Sequence, residues 1–249
     1  MSQRLFERPI AHRGLHERTA GVIENSRAAF EAAIAQGYAV ECDVQLSRDG
    51  VPFIFHDDTL ERLTAAQGPA SGLPIADLQK LILTGSAAGD TPQTLAEFLA
   101  QVAGRTQLQI EIKAQPDRAR TERLAAAVAQ ALRGYRGPHT LESFDPVALT
   151  ALRRHGVTAP LGIITQRHDE TEGEQTLPGW RRFVLRHLLH WPWTRFAFIS
   201  CRNLALSLPA VRLFRACGTE VTAWTIQSAP EARAALAGAD QIVFEGFRP

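Results

Sequence analysis

The sequence predicts an eight-fold α/β barrel, and three features carry that expectation. Short β-rich runs alternate with helical patterns from end to end, the signature of βαβ units and a parallel sheet. Eight of these runs read as barrel strands. The length, 249 residues with 45% apolar and 21% charged side chains, suits one large core over two ordinary domains, so 1–249 reads as a single domain.

Strands are expected near residues 9–13, 38–45, 107–113, 139–143, 160–165, 196–201, 220–226 and 241–245. Helical patterns lie between them, from Asn25 to Gln36, Thr94 to Val102, Arg118 to Leu132, Pro146 to Arg154, Pro209 to Ala216 and Pro230 to Ala237. Gly37, Gly134, Gly156 and Gly218 fall just past helix ends, where a left-handed cap favours glycine. Ser143, Asp145 and Ser228 are candidate caps at helix starts. The run from Val51 to His56 follows Asp49-Gly50, a hairpin signal, so it is expected to fold back on the second strand as a β-hairpin excursion. With the turn at Ser47 to Gly50, paired residue numbers sum to 97 and His56 stands opposite Glu41. From Asp57 to about Thr91 the chain is rich in Gly, Pro, Ala and Ser and too long for an ordinary connection.

Composition removes several function classes. The 27 basic residues barely outnumber the 26 acidic ones, which argues against nucleic acid, since phosphate-backbone binding needs a cationic surplus on one face. Three cysteines, Cys42, Cys201 and Cys217, make an odd count without a C-x-x-C pair, so neither a disulfide framework nor a zinc ribbon is expected and a reducing cytoplasm fits best. Met1 to Pro9 carries no secretion signal, and no apolar run approaches the roughly 18 residues of a membrane span.

The chemistry-bearing residues cluster at predicted strand ends, where barrel enzymes keep their active sites. Glu41 and Asp43 are two apart on a strand and so share a face, with Cys42 on the other. Two carboxylates inside a barrel need a cation or a basic partner. Glu111 and Lys113 repeat the spacing on the next strand, making Glu111 a third carboxylate ligand. An all-oxygen set of this kind suits a hard divalent cation, Mg²⁺ or Ca²⁺, in an open site. Lys113 either neutralises phosphate charge or is an ordinary strand-end lysine. His12 is a proton-transfer candidate, supported by the phosphate-forking guanidinium of Arg13 and by Gly14, which admits a ligand close to the backbone. His56 is the second. Asp57 either orients His56 or starts a turn; His16, His139, His155, His168, His187 and His190 read as surface or packing residues. For Glu24-Asn25, a helix cap and a supporting place at the site are equally open.

The tract from His12 to Lys113 carries His-Arg-Gly, Glu-Asn-Ser, Glu-Cys-Asp, Asp-Gly-Val-Pro, His-Asp-Asp-Thr-Leu-Glu-Arg and Glu-Ile-Lys in order. In these motifs the chain resembles the glycerophosphodiester phosphodiesterase family. The resemblance implies a TIM (β/α)8 barrel with a divalent metal at its mouth and a small insertion, here about 57–91, covering it. It implies hydrolysis of a small glycerophosphodiester to glycerol 3-phosphate and an alcohol, the neighbouring glycerol hydroxyl attacking phosphorus and leaving a cyclic phosphate for water to open. Trp224 matches a family tryptophan and is either a substrate-binding wall or core packing. The C-terminal Phe244-Glu245-Gly246-Phe247-Arg248-Pro249 departs from the family's Thr-Asp-x-Pro-like segment, which bears on substrate identity.

Residues 180–198 interleave Trp180, Phe183, Leu188, Trp191, Trp193 and Phe196 with Arg181, Arg182, Arg186 and Arg195. Two readings are open: a barrel helix packing its aromatic face on the core or a second copy, or an interfacial helix touching an anionic membrane. Pro192 ends or kinks it. A lysophospholipase D or sphingomyelinase-D-like activity on membrane lysolipids is the alternative enzyme, and a non-catalytic phosphometabolite-binding barrel the remote one.

Overall fold

The computed structural model describes residues 4–168 and 177–249. Among these, eight parallel strands close on themselves: β1 (Ile10–Ala11), β2 (Ala39–Leu46), β4 (Leu108–Ile112), β5 (His139–Ser143), β6 (Leu161–Thr165), β7 (Phe198–Arg202), β8 (Glu220–Ile226) and β9 (Gln241–Phe244). They pair in the order β1-β2-β4-β5-β6-β7-β8-β9, and β9 returns to β1, Ile10 opposite Val243 and Ala39 on its two sides. The chain is a TIM barrel, as the alternating pattern predicts.

The short β3 (Pro52–Ile54) pairs antiparallel with β2, so the excursion is present. Its register differs from the expected one: Val44 faces Ile54 and Gln45 faces Phe53, a sum of 98. The cause is the turn. Ser47 N donates to Val51 O at 3.0 Å and Gly50 takes φ 86°, so three residues, not two, connect the strands. His56 therefore lies beyond the ladder, one step past Phe55, whose N donates to Asp43 O. Gln45 Nε2 reaches the carbonyl oxygens of both Phe55 and His56 (3.2 and 3.1 Å), fixing the backbone as it leaves the sheet.

Helices cover the barrel. α1 (Arg27–Ala35) starts two residues later than expected, because Ser26, accepting from Ala29 N at 3.1 Å, is the cap. Asn25 sits at φ 55° and turns its amide inward. In the β3–β4 connection, α2 (Ile75–Leu78) is followed by α3 (Leu95–Val102), opened by a reciprocal Thr94–Glu97 capping box. α4 (Arg118–Ala131), α5 (Pro146–Arg154), α8 (Pro209–Ala216) and α9 (Ala229–Leu236) follow the sequence pattern closely, with Asp117, Asp145 and Ser228 as side-chain caps of α4, α5 and α9. The aromatic segment is broken, as Pro192 requires, into α6 (Gly179–Arg186) and α7 (Trp191–Thr194). No residue of α6 is buried, so Trp180 and Phe183 do not pack on the core, whereas Leu188, Phe196 and the partly buried Trp191 of the same segment do.

Gly14, at φ 79°, has a packing role. A Cβ there would lie 2.8 Å from the backbone carbon of Ala29, so glycine lets the β1 exit lie against α1. The stretch between β3 and α3 packs on its own apolar cluster, in which Leu60, Leu63, Leu78 and Leu83 surround Phe53, Phe55 and Ile23. No disulfide joins Cys42, Cys201 or Cys217.

Candidate active site

β2 and β4 are hydrogen-bonded neighbours with Asp43 level with Glu111, so alternation puts Glu41, Asp43 and Glu111 on one inner wall. One carboxylate oxygen from each lies within 4.8 Å of the others. The set carries its own electrostatic conflict. Burial, with repulsion from Asp43, pushes Glu41 well above the usual carboxylate range and raises Glu111, and Glu111 adds to the push on Glu41. Burial also pushes on Asp43, but Lys113, His56 and Arg13 outweigh it and hold this carboxyl well below its ordinary value. Lys113 Nζ stands 3.3 Å from Asp43 Oδ1 and 3.1 Å from Glu111 Oε1. Asn25 Nδ2 donates to Asp43 Oδ2 at 2.8 Å.

Arg13 is bound at both ends. Its backbone N donates to Glu41 Oε2 at 2.8 Å, and its Nη1 donates to Glu24 Oε1 at 2.6 Å. Its Nε lies 3.4 Å from Asp43 Oδ2.

The two imidazoles share one arrangement. His12 Nδ1 meets Glu245 Oε2 at 2.6 Å, and His56 Nδ1 meets Asp57 Oδ1 at 2.7 Å. A carboxylate on Nδ1 fixes the tautomer and leaves Nε2 for proton transfer. Burial lowers the His12 pKa, with the Glu245 hydrogen bond opposing it. Glu245 is held far below its usual range by the hydrogen bond from His12 and by the nearby His16, and also accepts from Gln227 Nε2 at 2.8 Å. Asp57 is driven down to about 2: burial opposes, and Arg62 with His56 prevails.

His12, Arg13, Glu41, His56, Glu111 and Lys113 line one cleft of about 160 Å³ at the barrel mouth, facing Trp224. Asp43 lies behind this wall, held by Lys113 and Asn25. Trp224 is half-buried, packs edge-on against Phe144 at 5.7 Å, and has a buried indole nitrogen without a partner. A larger groove of about 1010 Å³ lies on the outer surface between α8 and α9 and contains none of these groups.

Three residues outside the expected set also belong here. Glu245 supports His12, Arg62 binds both Asp57 and Glu24, and Glu142 lines the cleft with its pKa pushed up to about 8 by burial. Of the two readings open for Asn25, the supporting one holds, since it anchors Asp43. His16, expected on the surface or in packing, instead stands 3.7 Å from Glu245. The strand-end rule points to Glu245, which follows the last barrel strand.

Residues 12–244 match the profile of the Glycerophosphoryl diester phosphodiesterase family. The chain belongs to this family. It is therefore a phosphoric diester hydrolase by family. The glycerophosphodiester phosphodiesterase of Caldanaerobacter subterraneus subsp. tengcongensis is 36% identical over 110 residues, 42% of this chain and 44% of that protein. YhdW of Bacillus subtilis, named for the same activity, is 26% identical over 243 residues, 94% of this chain and 92% of that one. Among solved structures, an Oleispira antarctica phosphodiesterase in complex with the product sn-glycerol-3-phosphate superposes with a TM-score of 0.74 at 26% identity, covering 96% of this chain and 93% of that chain. The Thermotoga maritima glycerophosphodiester phosphodiesterase shares the fold, TM-score 0.69 at 24% identity over 96% of this chain and 94% of that one.

Proposed function

We propose that this phosphodiesterase hydrolyses small glycerophosphodiesters to glycerol 3-phosphate and an alcohol, with His12 and His56 as its proton-transfer pair. The observation that carries this reading is the pair of carboxylate-backed imidazoles lining one cleft with Arg13 and Lys113. Arg13 and Lys113 bind the phosphate and balance the charge on its oxygens. One imidazole takes the proton of the attacking hydroxyl and the other gives one to the departing alcohol oxygen, so no unstabilised alkoxide is released. The product-bound relative from Oleispira supports the substrate class.

The donor set fits a hard divalent cation. Its oxygens converge within 4.8 Å, and burial, with repulsion from Asp43, pushes the other two carboxyls upward, a conflict that added positive charge would relieve. Glu41, Asp43 and Glu111 would hold Mg²⁺ or Ca²⁺, which when bound polarises a phosphoryl oxygen. Trp224 forms a flat wall against the glycerol or the leaving group. Three cysteines outside any disulfide support a reducing, cytoplasmic setting.

The test is release of glycerol 3-phosphate from glycerophosphocholine and glycerophosphoethanolamine by chelator-stripped protein, with and without Mg²⁺ or Ca²⁺. Metal-restored release that His12→Ala and His56→Ala each abolish is expected. Near-normal turnover in both variants would overturn the assignment.

One observation favours a second reading, action on lysolipids at a membrane. Trp180, Phe183 and Trp193 are 68, 56 and 58% exposed on α6 and α7, beside Arg181 and Arg182. The acidic Asp169, Glu170, Glu172 and Glu174 just before α6 lie outside the described residues. Among the described residues no helix is long and apolar enough to cross a membrane. Turnover of lysophosphatidylcholine without turnover of glycerophosphocholine would select this reading.

A further inference from the structure

Arg62 belongs to the insertion, outside the barrel, and its side chain is 43% exposed. A surface ion pair of that kind ordinarily contributes little. Its geometry is not ordinary. Nε and Nη2 fork Asp57 at 2.5 and 2.7 Å, while Nη1 and Nη2 fork Glu24 at 2.7 and 2.8 Å. Each of those carboxylates holds a residue of the cleft. Asp57 Oδ1 is the partner of His56 Nδ1, and Glu24 Oε1 accepts from Arg13 Nη1.

We propose that Arg62 is a positioning residue for His56 and Arg13, one guanidinium that locks the imidazole through Asp57 and the phosphate fork through Glu24. The inference rests on the catalytic reading above. Gln45 fixes the backbone carbonyl of His56 but not its ring, whose orientation depends on the Asp57 carboxylate. Asp57 and Glu24 both bond the same Nη2, so without the cation between them two carboxylates would face each other at close range. Repulsion would swing Asp57 away from His56 and leave Glu24 mobile against Arg13. A lysine cannot substitute fully, because a compact ammonium does not fork two carboxylates at once.

The experiment measures kcat and KM for glycerophosphocholine, and the unfolding midpoint, in Arg62→Ala, Arg62→Gln, Arg62→Lys, Asp57→Asn, His56→Ala and the Arg62→Ala/Asp57→Asn double variant. Losing the orientation of a proton-transfer group is expected to lower kcat about 10-fold in Arg62→Ala and Arg62→Gln, with partial recovery in Arg62→Lys. Asp57→Asn should lower kcat and leave KM unchanged, whereas Arg62→Ala should also raise KM through Arg13. Because Arg62 reaches His56 through Asp57, kcat of the double variant should stay within about twofold of Asp57→Asn. A normal kcat with a lowered unfolding midpoint in Arg62→Ala would reduce the residue to a fastener of the insertion and overturn the proposal, as would multiplicative losses in the double variant. Near-normal turnover in His56→Ala would instead remove the catalytic reading, and this inference with it.

Discussion

Replacing Glu245 with Gln tests the His12 half of the site. The carboxylate meets His12 Nδ1 at 2.6 Å, and the two side chains are only 16 and 23% exposed, so the bond is charge-assisted and partly shielded from water. Such a bond contributes about 1.5–3 kcal/mol, and an amide oxygen in its place keeps only the neutral part. The loss is therefore roughly 1–2 kcal/mol, equivalent to about a 5- to 30-fold fall in kcat. Burial already lowers the His12 pKa, and Glu245 is what opposes it. Without that charge the imidazolium is less stable and the pKa falls further, by about one unit for each 1.4 kcal/mol. If His12 acts as base, the acidic limb of the rate profile moves to lower pH; if it acts as acid, the basic limb moves the same way. The assay is the pH dependence of kcat/KM with metal held saturating. A limb that stays in place, or moves to higher pH, refutes the assignment of His12 and the support given by Glu245.

Gly14→Ala should lower stability by about 2–4 kcal/mol, combining roughly 1 kcal/mol of left-handed strain with overlap against Ala29, which reads as a fall of several degrees in the unfolding midpoint. An unchanged midpoint would show that α1 retreats freely. Glu111→Gln removes one of three repelling carboxylates, so the chelator-stripped variant should be at least as stable as the parent while losing the thermal shift that added Mg²⁺ or Ca²⁺ confers. A preserved metal-induced shift would exclude Glu111 as a ligand. Burial opposes ionisation of Glu24 and Asp57, but Arg62 and their other partners hold both at about 2, below 4.5 and 3.8. Their contribution is thus complete above pH ~4.5 and disappears as pH falls towards ~2, so denaturant titrations across that window should show a decline that Arg62→Ala flattens, by roughly 1 kcal/mol after discounting for solvent screening.

The parallel strands were legible because each is a short apolar run bounded by a turn, and the site carboxylates because alternation on β2 and β4 puts residues two apart on one wall. Three departures have different physical origins. The β2–β3 register slipped by one because Asp-Gly permits both a two-residue turn and a three-residue loop with glycine left-handed, and local sequence does not choose between them. Asn25 stayed open between helix cap and support of the site because Ser26 next to it is an equally good cap, and only the proximity of Asp43 shows which of the two is released to the site. Glu245 and Arg62 were missed for the most general reason. Glu245 is 233 positions from His12, and Arg62 is 38 positions from Glu24. Neither pairing has a local pattern, because the partners meet only when the last strand closes the barrel and the segment that carries Arg62 packs beside Glu24. Ligand walls are thus written within single strands, whereas the groups that aim the histidines are supplied by closure. Damage to closure should therefore disturb proton transfer before it disturbs the carboxylate wall.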